Sequence, residues 1–232
     1  MKFIIGNWKM NGNMSDKESM LRTLKNVQSA NNIILCLPFT LLYGNDYGIT
    51  IGAQDISQFS NGAYTGDISG SMLKDTGAKY VIVGHSERRL YHNETNEIVK
   101  QKATAAIANG LVPIVCVGET LDDKNSGRTM PVVKKMVLNS VPENGEYIVA
   151  YEPRWAIGSG KTPTDKEIAD VHQTIFKTLH GINRENIPII YGGSVNQSNT
   201  RQIIEIAHVD GLLIGGASLK SDTFVPIIKS ID

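Results

Sequence analysis

The sequence predicts an α/β protein, a (β/α)8 barrel in which eight parallel strands are surrounded by outer helices. Three observations support this prediction: short apolar runs recur along the whole chain, helical patterns separate most of them, and the runs number eight. Strands that alternate with helical crossovers form parallel sheets, and eight such strands close into a barrel in about 250 residues. An open doubly wound sheet is the structural alternative.

Most of the apolar runs are continuous rather than alternating, as expected for strands that are covered on both faces. No low-complexity linker, composition break or charge run divides the chain, so we expect a single domain over residues 1–232. The predicted strands span residues 3–7, 33–37, 49–54, 80–84, 112–117, 147–151, 188–191 and 211–214.

Helix signals lie between these strands. Ser15 with Glu18 indicates a capping box at the start of the first helix, and Thr164 with Glu167 indicates another later in the chain. Between the second and third strands only residues 39–48 are available, so we expect a single helical turn or an irregular segment there. Other predicted helices run from about Glu94 to a C-terminal signal at Gly110, over residues 132–141 and over residues 199–207.

The composition excludes several classes of protein. Lys+Arg and Asp+Glu both number 23, so no net charge attracts nucleic acid or an anionic membrane. Cys36 and Cys116 each lie in an apolar run, which favours buried thiols in a reducing compartment over a disulfide. The first apolar run is too short for a signal peptide, and no stretch approaches the roughly 20 apolar residues of a membrane span. We expect a cytoplasmic protein without nucleic-acid or membrane partners.

Polar and glycine-rich clusters follow seven of the eight predicted strands, the second being the exception. In a barrel of this kind, catalytic residues lie at the carboxyl ends of the strands. This regularity therefore predicts an enzyme with its site at that end. The clusters are NWKMNG, GAQD, GHSERR, GETL, YEPRWAIGSGKTPT, YGGSV and IGGASL.

Three of these clusters contain candidate catalytic side chains. Lys9, close to Asn7, is either a solvated surface charge or a cation that faces a phosphate or a developing oxyanion. His85 is either a partly buried core residue or a neutral N–H donor, since the start of the next helix would lower its pKa. Glu152 is either ion-paired, for example with Arg154, or a general base whose pKa is raised by desolvation.

Glycine-rich segments predict a phosphate site. Gly192-Gly193-Ser194 and Gly215-Gly216 follow the last two strands, where barrels often bind phosphate through backbone N–H groups. Residues 156–160 with Lys161-Thr162 resemble the end of a P-loop, but Trp155 occupies the position of its first glycine. We interpret this segment as a lid between Pro153 and Pro163, in which the N–H of Gly158 could contact an anion.

Cofactor signatures are missing from the sequence. It contains no HExxH, no CxxC pair, no carboxylate cluster and no GxGxxG. We therefore expect neither a metal nor a nucleotide cofactor, and predict that side chains alone perform the chemistry.

Six of the motifs together resemble the triosephosphate isomerase family, over essentially the whole chain and in order: NWKMNG, GHSERR, CVGET, YEPRWAIGSGK, YGGSV and IGGASL. The resemblance implies a TIM-barrel isomerase that interconverts dihydroxyacetone phosphate and D-glyceraldehyde 3-phosphate through an enediolate, in glycolysis and gluconeogenesis. It also implies a homodimer without a cofactor.

The resemblance also implies a role for each matching residue. Glu152 would move the proton between the two carbons, and His85 would polarise the carbonyl and shuttle protons between the oxygens. Lys9 would stabilise negative charge, and Asn7 would orient the substrate. The remaining assignments are the phosphate ligands Gly158, Ser194, Gly215 and Gly216, an apolar clamp of Ile157 and Leu213 over the carboxylate, and a dimer contact at Thr65.

The sequence departs from the family pattern at three positions. Arg154 stands where an apolar residue is frequent, Pro163 where Ala is often found, and Asp67 where Glu is usual. Pro163 bears on lid kinetics, and Asp67 on an ion pair with Arg88 across the subunit interface. None of these departures removes a group that the chemistry requires.

Two other functions remain open from the sequence. One is another phosphate-binding barrel enzyme, such as a class I aldolase, which needs a Schiff-base lysine on a strand, usually the sixth. The sixth predicted strand is instead followed by Glu152. The other is a barrel that has kept the fold without the activity.

Overall fold

The eight predicted strands pair side by side in chain order and close into an all-parallel barrel in the computed structural model, which describes residues 1–156 and 162–232. Closure is visible at the first strand, where Phe3 lies opposite Asn32 on one side and Gly211 on the other. The predicted fold class is therefore confirmed. The strands are β1 Phe3–Asn7, β2 Asn32–Leu37, β3 Thr50–Ala53, β4 Tyr80–Val83, β5 Val112–Val117, β6 Ile148–Tyr151, β7 Ile189–Tyr191 and β8 Gly211–Ile214.

Helices follow the strands and cover the outside of the barrel. In the described part of the chain they are α1 Met14–Leu24, α2 Gly70–Asp75, α3 Ser86–Tyr91, α4 Asn96–Ala108, α5 Leu121–Asn125, α6 Thr129–Ser140, α7 Asp165–His180, α8 Thr200–Ile204 and α9 Ser221–Lys229. Two single 3-10 turns lie at Phe39–Leu41 and Gly216–Ser218. No helix of these residues is both long and apolar enough to cross a membrane.

The starts of α1, α4 and α6 differ from the prediction. The capping box of α1 is formed by Asn13 and Asp16 rather than by Ser15 and Glu18, because each of the first two side chains accepts the other's backbone N–H, at 3.0 and 3.1 Å. Helix α4 begins after Thr95, so Glu94 lies outside it. The capping box of Thr164 and Glu167 at the start of α7 was predicted correctly. Helix α6 starts three residues earlier than predicted, and α8 is shorter than predicted.

The core has two layers, one inside the barrel and one between the strands and the helices. Both faces of the strands are therefore buried, which explains their continuously apolar sequences. Cys36 and Cys116 are fully buried in the inner layer and are free thiols, as predicted. The inner layer consists of Ile5, Ile34, Cys36, Ile82, Ile114, Cys116, Ile148, Ala150, Ile190 and Leu213.

The short connection between β2 and β3 is anchored by a buried lysine. Its only helical element is the 3-10 turn Phe39–Leu41, as the segment length predicted. Lys17 reaches this connection from α1, and its Nζ donates to the carbonyl oxygens of Tyr43 and Gly44 at 2.6 and 3.0 Å. Since this side chain is 1% exposed, these two bonds, together with Oε1 of Glu18 at 3.6 Å, compensate a charge that would otherwise be costly to bury. Lys17 thus holds the segment in place of a packed helix.

A buried histidine gives the fold a defined pH dependence. His172 in α7 is fully buried, and its Nδ1 lies 2.9 Å from the carbonyl oxygen of His208, so Nδ1 carries a proton in the neutral ring. Burial lowers the pKa of His172 to about 4. The unfolded chain therefore binds a proton at His172 below about pH 6.5, whereas the folded chain binds it only below about pH 4. The free energy of unfolding consequently decreases as the pH falls through this range.

Acidification from pH 7.5 to pH 4.5 is expected to reduce the free energy of unfolding by about 2.5 kcal/mol through His172. Below pH 6.5 the loss is about 1.4 kcal/mol per pH unit. Urea unfolding at fixed protein concentration measures this loss. His172→Gln should be less stable at pH 7.5 but should lose correspondingly less on acidification. The exposed His180→Gln is the matched control and should behave like the wild type. An unchanged acid loss in His172→Gln would contradict the assignment.

Candidate active site

A cavity of about 310 Å³ opens at the carboxyl ends of the strands, where the sequence predicted the site. Side chains and glycines from the ends of β1, β4, β6, β7 and β8 meet there. The lining residues are Asn7, Trp8, Lys9, Asn11, His85, Glu152, Gly192, Gly193, Ser194, Val195, Leu213, Gly215, Gly216, Ala217 and Leu219.

Glu152 follows β6 directly and projects its carboxylate into this cavity. The side chain is nearly inaccessible to solvent, with the residue 2% exposed. Oε1 lies 3.0 Å from Nε2 of His85, and Oε2 accepts the backbone N–H of Ser86 at 3.0 Å. A glycine is required next to it, because a Cβ on Gly118 would lie 1.8 Å from the carbonyl oxygen of Glu152.

The pKa of Glu152 moves in the direction opposite to the one that the sequence predicted. Burial raises the pKa of this carboxyl, but His85, the Ser86 N–H and Lys9 together outweigh burial, so the pKa lies below its ordinary value. The prediction considered only desolvation, whereas the charged form is stabilised by groups far away in the sequence. Glu152 is therefore ionised, and can accept a proton, throughout the neutral pH range.

His85 links β4 to α3 and is the N-cap of that helix. The backbone N–H of Glu87 donates to Nδ1 at 3.3 Å. An Nδ1 that accepts a hydrogen bond carries no proton, so the proton of the neutral ring is on Nε2, which lies against Glu152. The ring can donate this Nε2 proton to an oxygen in the cavity.

The predicted lowering of the His85 pKa is also corrected. Burial does lower the pKa of His85, but the carboxylate of Glu152 at 3.0 Å raises it, with a smaller contribution from Glu87, and the net direction is upward. The upward shift depends mainly on the negative charge of Glu152. When that carboxylate becomes protonated, only the smaller contribution of Glu87 still raises the pKa of His85, whereas burial and the start of α3 favour the neutral ring.

Lys9 lies at the cavity wall and is not a freely solvated surface charge. Its Nζ is 2.6 Å from Oε1 of Glu87, and its backbone N–H donates to Oδ1 of Asn7 at 3.0 Å. Its φ of +53° is in the left-handed region, which a residue with a Cβ rarely adopts. Local strain of this kind is concentrated at functional sites, where it fixes the direction of a side chain.

The glycine-rich ends of β7 and β8 form the opposite wall of the cavity. Among the described residues, the backbone N–H groups of Ser194, Gly215 and Gly216 donate to no acceptor. A Cβ on Gly216 would meet no atom within 4 Å, so this backbone faces open space. Uncommitted N–H groups beside a cavity are suited to bind an anion. Asn199 holds the loop by donating from its side chain to the carbonyl oxygen of Ser194 at 3.1 Å.

The structure therefore brings together Asn7, Lys9, His85, Glu152, Ser194, Gly215 and Gly216, and Leu213 lines the same cavity. Gly158 and Ile157, like most of the predicted lid, lie outside the described residues. Thr65 does not belong to this cavity and is exposed in the long loop between β3 and α2.

Arg88 and Asp67 do not pair within the chain. Arg88 contacts Asp55 and Glu94, at 2.8 and 2.6 Å, whereas Asp67 accepts a hydrogen bond from Ser57 at 2.7 Å. Glu94, predicted as the start of a helix, thus belongs to a buried cluster of charges.

Sequence reasoning missed contacts of the site that come from two segments. Three of these contacts come from the GHSERR cluster: the N–H of Ser86 and the N–H and carboxylate of Glu87. The unusual polarity of this cluster was the sequence feature that could have indicated them. Glu119, from the CVGET motif, accepts hydrogen bonds from Trp155 at 2.7 Å and Tyr151 at 3.2 Å. It thereby holds the chain next to Glu152.

In the described ranges no group of three or more His, Cys, Asp or Glu side chains is arranged to bind a metal ion.

Comparison with known proteins identifies the family. The family profile described as triosephosphate isomerase matches residues 2–231. The triosephosphate isomerase of Albidiferax ferrireducens is 45% identical, covering 99% of this chain and 98% of the relative, and that of Gluconacetobacter diazotrophicus is 43% identical with the same coverage. The crystal structure of triosephosphate isomerase from Bartonella henselae superposes with a TM-score of 0.90 at 37% identity, over 99% of this chain and 98% of that one. The chain belongs to the triosephosphate isomerase family.

Proposed function

We propose that this protein interconverts dihydroxyacetone phosphate and D-glyceraldehyde 3-phosphate, with Glu152 as the base and His85 as the electrophile. The observation that supports this most strongly is the 3.0 Å contact between the Glu152 carboxylate and the proton-bearing Nε2 of His85 in one buried cavity. A base and a hydrogen-bond donor side by side are what abstraction of a proton next to a carbonyl requires.

The reaction begins when the substrate carbonyl oxygen takes over the hydrogen bond from His85 Nε2. Glu152, released from that bond, removes a proton from C1 of dihydroxyacetone phosphate. The electron pair of the broken C–H bond forms the C1–C2 double bond, and the carbonyl π electrons move onto O2. His85 and Lys9 stabilise the resulting negative charge on the enediolate.

Protons are then moved between the oxygens and returned to carbon. Protonated Glu152 no longer raises the pKa of His85, and the neutral ring donates its Nε2 proton to O2 and is left as the imidazolate. The ring then takes the proton of the O1 hydroxyl. The electron pair left on O1 forms the new carbonyl at C1, while C2 takes the proton back from Glu152. The product is D-glyceraldehyde 3-phosphate, and both side chains are restored.

The substrate phosphate would be held by the N–H groups of Ser194, Gly215 and Gly216, and by that of Gly158. The first three support this role because they line the cavity and donate to no acceptor in residues 1–156 and 162–232. Asn7 would orient the substrate, and Leu213 with Ile157 would cover the carboxylate and exclude water. Water exclusion matters because an exposed enediolate can expel its phosphate.

We propose that the protein acts as a homodimer in which Thr65 of one protomer enters the other. A groove of about 650 Å³ lies beside the active site, and Asn7, Lys9 and His85 line both. Met10 and Tyr91 at this groove are largely exposed, as a surface covered by a second copy would be in the isolated chain.

The buried free thiols support a reducing location such as the cytoplasm. We also propose that the whole chain forms one domain.

The proposed activity is tested by a coupled assay with purified protein. Dihydroxyacetone phosphate formed from D-glyceraldehyde 3-phosphate is reduced by added glycerol-3-phosphate dehydrogenase, and NADH oxidation is followed. We expect turnover far above that of a Glu152→Gln preparation purified in the same way, which controls for host enzyme. Equal rates in the two preparations would refute the proposal. A borohydride-trapped lysine adduct with triose phosphate would instead indicate a class I aldolase.

A further inference from the structure

Arg89 is a partly buried cation that is bound only by uncharged oxygens among the described residues. Nε donates to the carbonyl oxygen of Gly84 at 2.8 Å, and Nη1 to Oδ1 of Asn96 at 2.8 Å. Nη2 donates to the carbonyl oxygen of Cys116 at 3.0 Å and to Oγ of Ser140 at 3.2 Å. Its neighbour Arg88, by contrast, pairs with two carboxylates. Four of the five N–H groups of the Arg89 guanidinium thus have an acceptor, and none of these acceptors carries a negative charge.

Arg89 fixes both carbonyl groups that flank His85. Its side chain binds the carbonyl oxygen of Gly84, and its backbone N–H donates to that of His85 at 3.0 Å. Gly84 has a φ of +65°, and a Cβ there would lie 2.5 Å from Val99. The turn that carries the imidazole therefore has a conformation that other residues rarely adopt, and Arg89 holds it from outside the cavity.

The same side chain ties this turn to the strand that supports Glu152. Cys116 is in β5 and pairs with Ala150 of β6, two residues before Glu152. The charged and titratable groups around Arg89 are Cys116, Glu152, Glu94 and Arg154. Burial lowers the pKa of Arg89, and the negative charges of Glu152 and Glu94 act against that lowering. Burial keeps the thiol of Cys116 neutral, because its pKa is raised.

We propose that Arg89 is a positioning residue for the isomerisation: it holds the Gly84–His85 peptide so that Nε2 faces the substrate, and its unneutralised charge favours the ionised form of Glu152. Arg89 does not line the cavity, so it acts through these two residues. This inference rests on the proposed function. The alternative is a purely structural role, in which Arg89 only joins α3, α4, β5 and α6.

Two substitutions separate the geometric effect from the effect of charge. Arg89→Lys keeps the charge but loses the planar fork that reaches four acceptors, whereas Arg89→Gln loses both. We expect both variants to lower kcat by about 10- to 100-fold, since a displacement of about 1 Å can cost about 10²-fold. KM should change by less than about 3-fold, because the proposed phosphate ligands lie on β7, β8 and the lid.

The pH profile of kcat/KM gives the second readout. The acid limb of this profile reports the pKa of the general base in the free enzyme. We expect this limb to move to higher pH in Arg89→Gln and to stay in place in Arg89→Lys. Arg201→Gln, which removes a side chain that is 81% exposed, controls for net charge and should leave both kcat and the profile unchanged. A structural role would lower the melting temperature without this difference between Lys and Gln.

The outcomes are distinguishable from failure of the proposed function. If the wild type does not isomerise triose phosphates, the proposed function fails. If the wild type is active and folded Arg89→Lys and Arg89→Gln retain its kcat and acid limb, only the inference is overturned. If neither variant folds, Asn96→Ala removes one acceptor of the guanidinium and leaves its charge. It should then lower kcat without moving the acid limb, and a wild-type kcat in this variant would equally overturn the inference.

Discussion

Replacing Glu152 with Gln is expected to lower kcat by at least about 10³-fold, within the range of about 10²–10⁴ that a positioned general base contributes. The amide has the size of the carboxylate, but its single oxygen can accept from only one of the two donors, His85 Nε2 and the Ser86 N–H, that the carboxylate now binds. It cannot accept a proton from carbon. KM should change little, because the proposed phosphate ligands are untouched. Steady-state kinetics in both directions measures the two parameters.

The shorter carboxylate of Glu152→Asp tests position rather than chemistry. It withdraws the base by about one methylene, and we expect kcat to fall by at least about 10²-fold. Glu205→Gln, at a side chain that is 69% exposed, is the matched control and should be as active as the wild type. If Glu152→Gln retained more than a tenth of the wild-type kcat, some other group would have to be the base.

Thr65→Arg is expected to convert the proposed dimer to monomers and to lower kcat per chain by about 10²-fold. A long side chain at the loop tip would not fit a groove beside Asn7 and His85. Without the partner loop, the wall that the groove shares with the active site is exposed to water, and its side chains lose their fixed positions. Sedimentation velocity and kinetics at the same protein concentration measure both effects.

The control for this variant is Thr104→Arg, on the exposed side of α4. It introduces the same side chain away from the groove and should remain dimeric and active. Dilution of the wild type should lower its specific activity in step with dissociation. A monomeric Thr65→Arg protein with full activity would contradict the shared site, and a fully active dimer would contradict the position assigned to Thr65.

The fold was predictable because the information that specifies it is local. Each strand is a short apolar run, and the number of runs determines that the sheet can close. The errors concern helix ends, where several polar residues compete for the same N–H groups. Ser15 and Asn13 are both good N-caps, and the sequence does not decide between them. At α4 the N-cap is Thr95, whose Oγ1 accepts the backbone N–H of Ile98 at 3.3 Å, so the helix begins after it and not at Glu94.

The members of the site were predictable in part because strand ends converge in a barrel. That rule selected Lys9, His85 and Glu152 from three separate segments. It did not predict their pKa directions, which depend on the 3.0 Å distance between His85 and Glu152, residues that are distant in sequence. Arg89 was not selected either, because its partners are two backbone oxygens and two uncharged side chains, which leave no charge pattern in the sequence.

The most direct test of the account is a crystal structure of the protein soaked with inorganic phosphate. We expect the ion in the cavity at the carboxyl ends of the strands, with the N–H groups of Ser194, Gly215 and Gly216 about 2.7–3.2 Å from its oxygens. Glu152 and His85 should face it across the space that a three-carbon chain would fill. A phosphate bound instead at the opposite end of the barrel, in the cavity that Arg184 and His208 line, with these N–H groups turned away from the first cavity, would contradict it.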